Sequence, residues 1–194
     1  MNKAIFLDRD GVINELVYHE EQEVIDSPFT VRQFKLIPGV PEFIKTVRQA
    51  DFKVVVVSNQ PGIAKGNMTA VTFKKIREKM RTDLAGAGAA VDGEYYCLHH
   101  PNAQVAKYRV ECDCRKPKPG MLLHAALDLD IDLPQSWMIG DNLSDVQAGQ
   151  SAGCCTVLIA NMKSELLDLI DKRKITPDYI CRELKEAVKT ILIK

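Results

Sequence analysis

Residues 52–58 read Phe-Lys-Val-Val-Val-Val-Ser, and no other feature limits the fold as much. An apolar run this continuous makes a strand buried on both faces, so the chain must supply a layer of structure on either side. Ala4-Ile5-Phe6-Leu7 is a second run of this kind, and it stops at Asp8. Tyr95-Tyr96-Cys97, Trp137-Met138-Ile139-Gly140 and Cys155-Thr156-Val157-Leu158-Ile159 read as further strands. Helical spacing fills the intervals. Val40, Phe43, Ile44 and Val47 repeat at that spacing after Pro38-Gly39, and proline suits a first helical turn. Thr69 is placed to cap a long helix to about Ala87, ended by Gly86-Ala87-Gly88. Further helices are expected from Gly120 to about Leu129, at Asp145–Ser151, over 162–173 and over 182–193, with Tyr179-Ile180 a short strand between the last two. The alternation predicts an α/β fold, a Rossmann-like parallel sheet with right-handed crossovers and helices on both faces. The length fits one domain over residues 1–194.

Lysine plus arginine equals aspartate plus glutamate at 26 each, so no basic footprint marks a nucleic-acid or membrane surface. Met1 to Asp8 is too short an apolar segment for a secretion signal, and no run is long enough to span a bilayer. A cytoplasmic monomer acting without nucleic acid or membrane is expected. The polar stretch from Glu15 to about Arg32, with its acidic tract Glu20-Glu21-Gln22-Glu23, reads as a solvated loop or a small flap.

Three strands end in residues suited to chemistry. The first runs into Asp8-Arg9-Asp10-Gly11, the second into Ser58-Asn59-Gln60, and the fourth into Gly140-Asp141 with Asp145 a helical turn later. In a parallel sheet these ends share one edge, where ligands bind. Each carboxylate alone would pass for a turn or cap residue. Together they would repel one another without a cation, and hard oxygen ligands suit Mg²⁺.

A second cluster lies in the middle of the chain. Cys97-Leu98-His99 is followed, after twelve intervening residues, by Cys112-Asp113-Cys114. Three thiolates and an imidazole are a tetrahedral zinc set, and four protein ligands leave no open position for water. A structural Zn²⁺ clamping the loop at about 97–114 is therefore expected, with His100 a competing ligand to His99. Cys154, Cys155 and Cys181 sit in apolar surroundings and read as buried thiols.

These motifs resemble those of the haloacid dehalogenase (HAD) phosphatase superfamily. Asp8-Arg9-Asp10-Gly11-Val12-Ile13-Asn14 is similar to its first motif and Ser58-Asn59-Gln60 to its second. Lys116 in Arg115-Lys116-Pro117 is similar to the third, and Gly140-Asp141-Asn142-Leu143-Ser144-Asp145 to the fourth. The resemblance implies a phosphatase with Asp8 as nucleophile, Asp10 as general acid and base, and Ser58 and Lys116 stabilising the transferred phosphoryl group. It implies Mg²⁺ on Asp8, Asp141 and the Asp10 carbonyl. Gly11, Asn14, Asn59, Gln60 and Arg115 form the expected substrate-binding set. Asn142 reads as a water-mediated metal contact or a helix cap, and Asp145 as a supporting carboxylate or a helix-start residue.

With the Cys/His loop, the pattern is similar to a zinc-bearing branch that contains heptose bisphosphate 7-phosphatases and histidinol-phosphate phosphatases. Asn59-Gln60-Pro61-Gly62-Ile63-Ala64-Lys65-Gly66 carries the same likeness. It implies a small phosphorylated metabolite as substrate, no large cap domain, and a loop after Asn14 that lines the pocket. Two features depart from the heptose enzymes: Asn142 stands where lysine is usual, and the loop from Glu15 to Phe34 is longer. The alternative from another class is a non-catalytic, zinc-stabilised binding module on the same scaffold.

Overall fold

A computed structural model of the chain describes residues 1–160 and 170–193. Six parallel strands make the central sheet: β1 (Lys3–Leu7), β4 (Phe52–Asn59), β5 (Gly93–Cys97), β6 (Trp137–Gly140), β7 (Cys155–Ile159) and β8 (Tyr179–Cys181). Their spatial order is β5-β4-β1-β6-β7-β8. The helices are α1 (Val40–Gln49), α2 (Ala70–Gly86), α3 (Gly120–Leu129), α4 (Leu143–Ala152) and α5 (Leu184–Ile193). Of the helix expected over 162–173, only residues 170–173 are described, and they are helical.

The continuous apolar strands follow from a sheet covered twice. In β1, Ile5 and Leu7 pack with Phe43, Ile76 and Ala187 of α1, α2 and α5, while Ala4 and Phe6 pack with Leu122 and Ala148 of α3 and α4. β4 divides the same way, with Val54 and Val56 on the first face and Val55 and Val57 on the second. All four valines are fully buried, and each such side chain contributes roughly 1.5–3 kcal/mol. Local signals set the helix ends. The Thr69 side chain accepts a hydrogen bond from the Thr72 amide at 3.0 Å and caps α2. Gly153 adopts a left-handed φ of 86° where α4 ends.

Of the two readings of the stretch after Asn14, the structure gives the small flap and not the solvated loop. It folds into an antiparallel hairpin of β2 (Val17–His19) and β3 (Val24–Asp26), with Glu20–Glu23 at its tip. His19 holds the hairpin down: its ring stacks on Phe29 at 3.7 Å and its Nε2 lies 2.9 Å from the Ser27 carbonyl. This hairpin is the largest insertion between β1 and α1, so no cap domain intervenes there.

Candidate active site

The register of the sheet brings the motif ends together. Leu7 pairs with Val56 on one side and Ile139 on the other, and the Asp8 amide continues the ladder to the Ile139 carbonyl at 2.9 Å. Asp8, Ser58 and Asp141 therefore leave the sheet at one edge. They line a cavity of about 460 Å³ with Asp10, Asn59 and Lys116. The hairpin supplies another wall through Ile25, Asp26 and Ser27. The family likeness places the loop after Asn14 at the pocket, and these are the residues through which it gets there.

Lys116 is the central cation. Its ammonium lies 3.1 Å from Asp8 Oδ1 and 2.6 Å from Asp145 Oδ1, and it donates to the Val57 carbonyl at 2.8 Å. The ammonium is thus hydrogen-bonded to the Val57 carbonyl and ion-paired with two carboxylates. Burial would lower the lysine pKa, but Asp145 and Asp8 overcome it and hold the group charged. Burial pushes the Asp145 carboxyl up to about 7, against the pull of Lys116. Asn59 fixes the Lys116 backbone from β4: its Nδ2 donates to the Lys116 carbonyl and its Oδ1 accepts from the Lys116 amide, both at 3.0 Å. Asp145 also accepts from the Asn142 amide at 3.0 Å, so it both starts α4 and supports the lysine. Asn142 itself is exposed beside the cavity.

Asp10 is held by buried neighbours. Arg9 reaches both of its carboxylate oxygens, Asn14 Nδ2 donates to Oδ1 at 3.0 Å, and Gln60 Nε2 donates to Oδ2. Gln60 also donates to Ser58 Oγ at 3.1 Å. Asn14 and Gln60, expected at the substrate, are turned toward Asp10 in this structure. Gly11 closes the turn at φ 80°, and a Cβ there would run into the Asp141 carboxylate.

Asp8, Asp141 and Asp145 offer ligand oxygens within 4.8 Å of one another. Four carboxylates (Asp8, Asp10, Asp141, Asp145) meet two cations (Arg9, Lys116), so negative charge is in excess at one edge. An oxygen-only donor set with that excess fits a hard divalent cation.

The Cys/His cluster stands apart from this chemistry. Cys97 and Cys112 sulfurs are 3.6 Å apart, and Cys112 and Cys114 sulfurs 3.2 Å. His99 Nδ1 lies 3.6 Å from Cys114 Sγ and 4.0 Å from Cys97 Sγ. Zn–S bonds of about 2.3 Å at tetrahedral angles would set sulfurs about 3.8 Å apart, so the cage has zinc dimensions. Burial pushes the Cys97 and Cys114 thiols up, whereas hydrogen bonds from Cys114, His99 and Cys97 outweigh burial at Cys112 and bring it to about 7. His99, not its neighbour His100, belongs to the cluster. Arg115 is tied back to this loop, its Nη1 donating to the His99 carbonyl at 3.1 Å.

A parallel sheet that gathers Asp8, Asp10, Lys116 and Asp141 at one mouth defines a phosphate-ester hydrolase of the HAD type. The HAD-hydrolase-like family model matches residues 113–187. The D-glycero-beta-D-manno-heptose-1,7-bisphosphate 7-phosphatase of Escherichia coli (strain K12) is 44% identical over 156 residues, 80% of this chain and 78% of that protein. The enzyme of the same name from Pasteurella multocida (strain Pm70) is 38% identical over 98% of this chain and 97% of its own. A crystal structure of D,D-heptose 1,7-bisphosphate phosphatase from B. bronchiseptica, complexed with magnesium and phosphate, aligns with TM-score 0.79 and 32% identity over 98% of each chain. The chain belongs to the HAD-like phosphatases and is a phosphoric monoester hydrolase.

Proposed function

We propose that this enzyme removes the 7-phosphate of D-glycero-D-manno-heptose 1,7-bisphosphate through an aspartyl-phosphate on Asp8. The observation that carries the chemistry is Lys116, held 3.1 Å from Asp8 at the floor of the cavity. The substrate rests on the two heptose phosphatases above, one of them similar along nearly the whole chain. In this reading Asp8 attacks phosphorus as the bond to the leaving oxygen breaks, and Asp10 gives that oxygen its proton. Asp10 then takes a proton from water, whose oxygen attacks phosphorus and frees Asp8. Lys116 and Ser58 neutralise and bind the phosphoryl oxygens. Asp8, Asp141 and the Asp10 carbonyl would hold Mg²⁺, which supplies charge neutralisation for an anionic nucleophile meeting an anionic ester. Cys97, His99, Cys112 and Cys114 would hold a structural Zn²⁺. The molecule is taken as a cytoplasmic monomer of one domain.

Histidinol phosphate is the competing substrate within the class. Its amine and imidazole would need acidic partners; the Glu20–Glu23 tract lies at the hairpin tip, and Asp26, the hairpin carboxylate on the cavity wall, is already paired with Lys65. The test is phosphate release with Mg²⁺ from the heptose bisphosphate and from histidinol phosphate side by side. The expected result is a kcat/KM preference for the heptose above about 10²-fold, more than a merely apolar pocket gives. A preference for histidinol phosphate would overturn the substrate and leave the Asp8 chemistry standing. No turnover of any phosphomonoester would favour a non-catalytic binding module.

A further inference from the structure

The turn that follows Asp8 closes through its own backbone. The Ile13 and Asn14 amides donate to the Arg9 carbonyl at 2.7 and 3.0 Å, and the Gly11 amide donates to the Asn14 carbonyl at 2.8 Å. The Arg9 side chain is not needed for that turn, yet it is completely buried. Its Nη2 lies 2.9 and 3.1 Å from the two Asp10 oxygens, and its Nε lies 3.2 Å from Oδ1. The guanidinium sits 5.8 Å from the Phe73 ring centre on α2, and its Nη1 has no hydrogen-bond partner among the described residues. Burying a guanidinium with one arm unsatisfied is unfavourable, so the position needs a compensating use. A planar fork on a carboxylate fixes the direction of that carboxylate in a way a lysine cannot. The fork comes from behind, leaving Asp10 on the cavity wall.

We propose that Arg9 is a positioning residue that aims the Asp10 carboxylate at the proton it must move. The inference rests on the Asp8 and Asp10 roles proposed above. It separates the two half-reactions. With an alkyl phosphate, the leaving oxygen needs the Asp10 proton as the P–O bond breaks. With p-nitrophenyl phosphate, the departing phenolate is stable and needs no proton. In the second half-reaction Asp10 accepts a proton from water as the new P–O bond forms and the Asp8–phosphorus bond breaks, whatever the first substrate was. A misaimed Asp10 therefore spares only the first step with the nitrophenyl ester.

The experiment is rapid-quench turnover of p-nitrophenyl phosphate with Mg²⁺ by the wild type, Arg9→Met and Arg9→Lys, with folding checked by circular dichroism. Both variants are expected to release a burst of nitrophenolate, to accumulate an acyl-phosphate that hydroxylamine traps, and to keep the wild-type kcat/KM, because slowing the second step alone lowers kcat and KM together. Steady phosphate release should fall about 10²-fold in Arg9→Met, the lower end of what proton transfer contributes, and less in Arg9→Lys. Loss of the burst together with turnover in a folded variant would overturn the proposal, as would wild-type turnover in Arg9→Lys. If Arg9→Met does not fold, Arg9→Lys decides alone. A wild type and an Asp10→Asn variant that both yield no trapped phosphoenzyme would instead refute the Asp8 reading itself.

Discussion

The chain builds two polar clusters on neighbouring parts of one sheet edge, and they are built in opposite ways. The Cys/His cage comes from a single loop between residues 97 and 114, closes on itself, and offers four soft ligands at contact distance. The carboxylate site draws Asp8, Ser58, Lys116 and Asp141 from four distant segments and leaves a cavity open between them. The first draws on one stretch of chain, from the end of β5 through the loop that follows it. The second exists only when β1, β4 and β6 lie in register. The two meet in sequence at Cys114 and Lys116, although Lys116 is held in place from β4 and by the carboxylates. Closure serves permanence, and openness serves turnover.

The sharpest way to break this division is Asp8→Asn. It removes the nucleophile and is expected to lower phosphate release by at least about 10⁴-fold, as loss of a covalent catalyst does elsewhere. Zinc content, measured by elemental analysis, should stay at its wild-type level, because the cage shares no ligand with the carboxylates. A loss of zinc on this substitution would mean that the two clusters are not separable. Lys116→Met tests the point where they join. It takes the ammonium from between Asp8 and Asp145 and should lower kcat about 10²–10³-fold. It also leaves a buried carboxylate without its partner, which typically costs about 3–5 kcal/mol, so the thermal midpoint should fall too.

The contrast between the clusters also governs how much of each is legible in the amino-acid sequence. The cage is legible from ligand type alone, because thiolates and imidazole at short range have few other uses in such a loop. The carboxylate site is legible because buried strands announce where they end: Leu7 stops at Asp8 and Val57 at Ser58. The strand and helix pattern follows from the same apolar runs. Two things are not legible. Arg9 and Gln60 are buried on Asp10, and polarity by itself suggests exposure or substrate contact. The hairpin β2–β3 has short, mixed strands with Tyr18 and Ile25 exposed, so it carries no alternation to distinguish it from a loop. Its placement depends on His19 stacking on Phe29, a tertiary contact that no local pattern encodes.

Cys112→Ser sharpens the comparison from the other side. Removing one thiolate from a closed cage should release the metal, taking zinc from about one equivalent per chain to near none, and lower the thermal midpoint. The effect on turnover should be smaller, about tenfold, the scale of supporting interactions around a site. Lys116 would still be held by Asn59, the Val57 carbonyl and two carboxylates. Complete loss of activity in a folded, zinc-free protein would show the cage to be part of the catalytic machinery.

The smallest effect is expected at the rim. Asp26 lies on the cavity wall and pairs with Lys65 at 3.8 Å, while its Oδ1 accepts from the Ser27 amide at 2.7 Å. Both side chains are about one-third exposed, so the pair contributes less than about 1 kcal/mol to stability. Asp26→Ala should therefore leave the melting temperature and kcat near those of the wild type. Its effect belongs in KM, because Lys65 is freed to meet an anionic end of the substrate, and a second phosphate would gain from that while a cationic substrate would lose. A KM that falls a fewfold for the heptose bisphosphate, on the scale of one exposed charge contact, would place the hairpin in substrate selection. A fall in kcat at unchanged KM would instead place Asp26 nearer the reacting atoms than the rim, and would move the boundary between the open site and its surroundings inward.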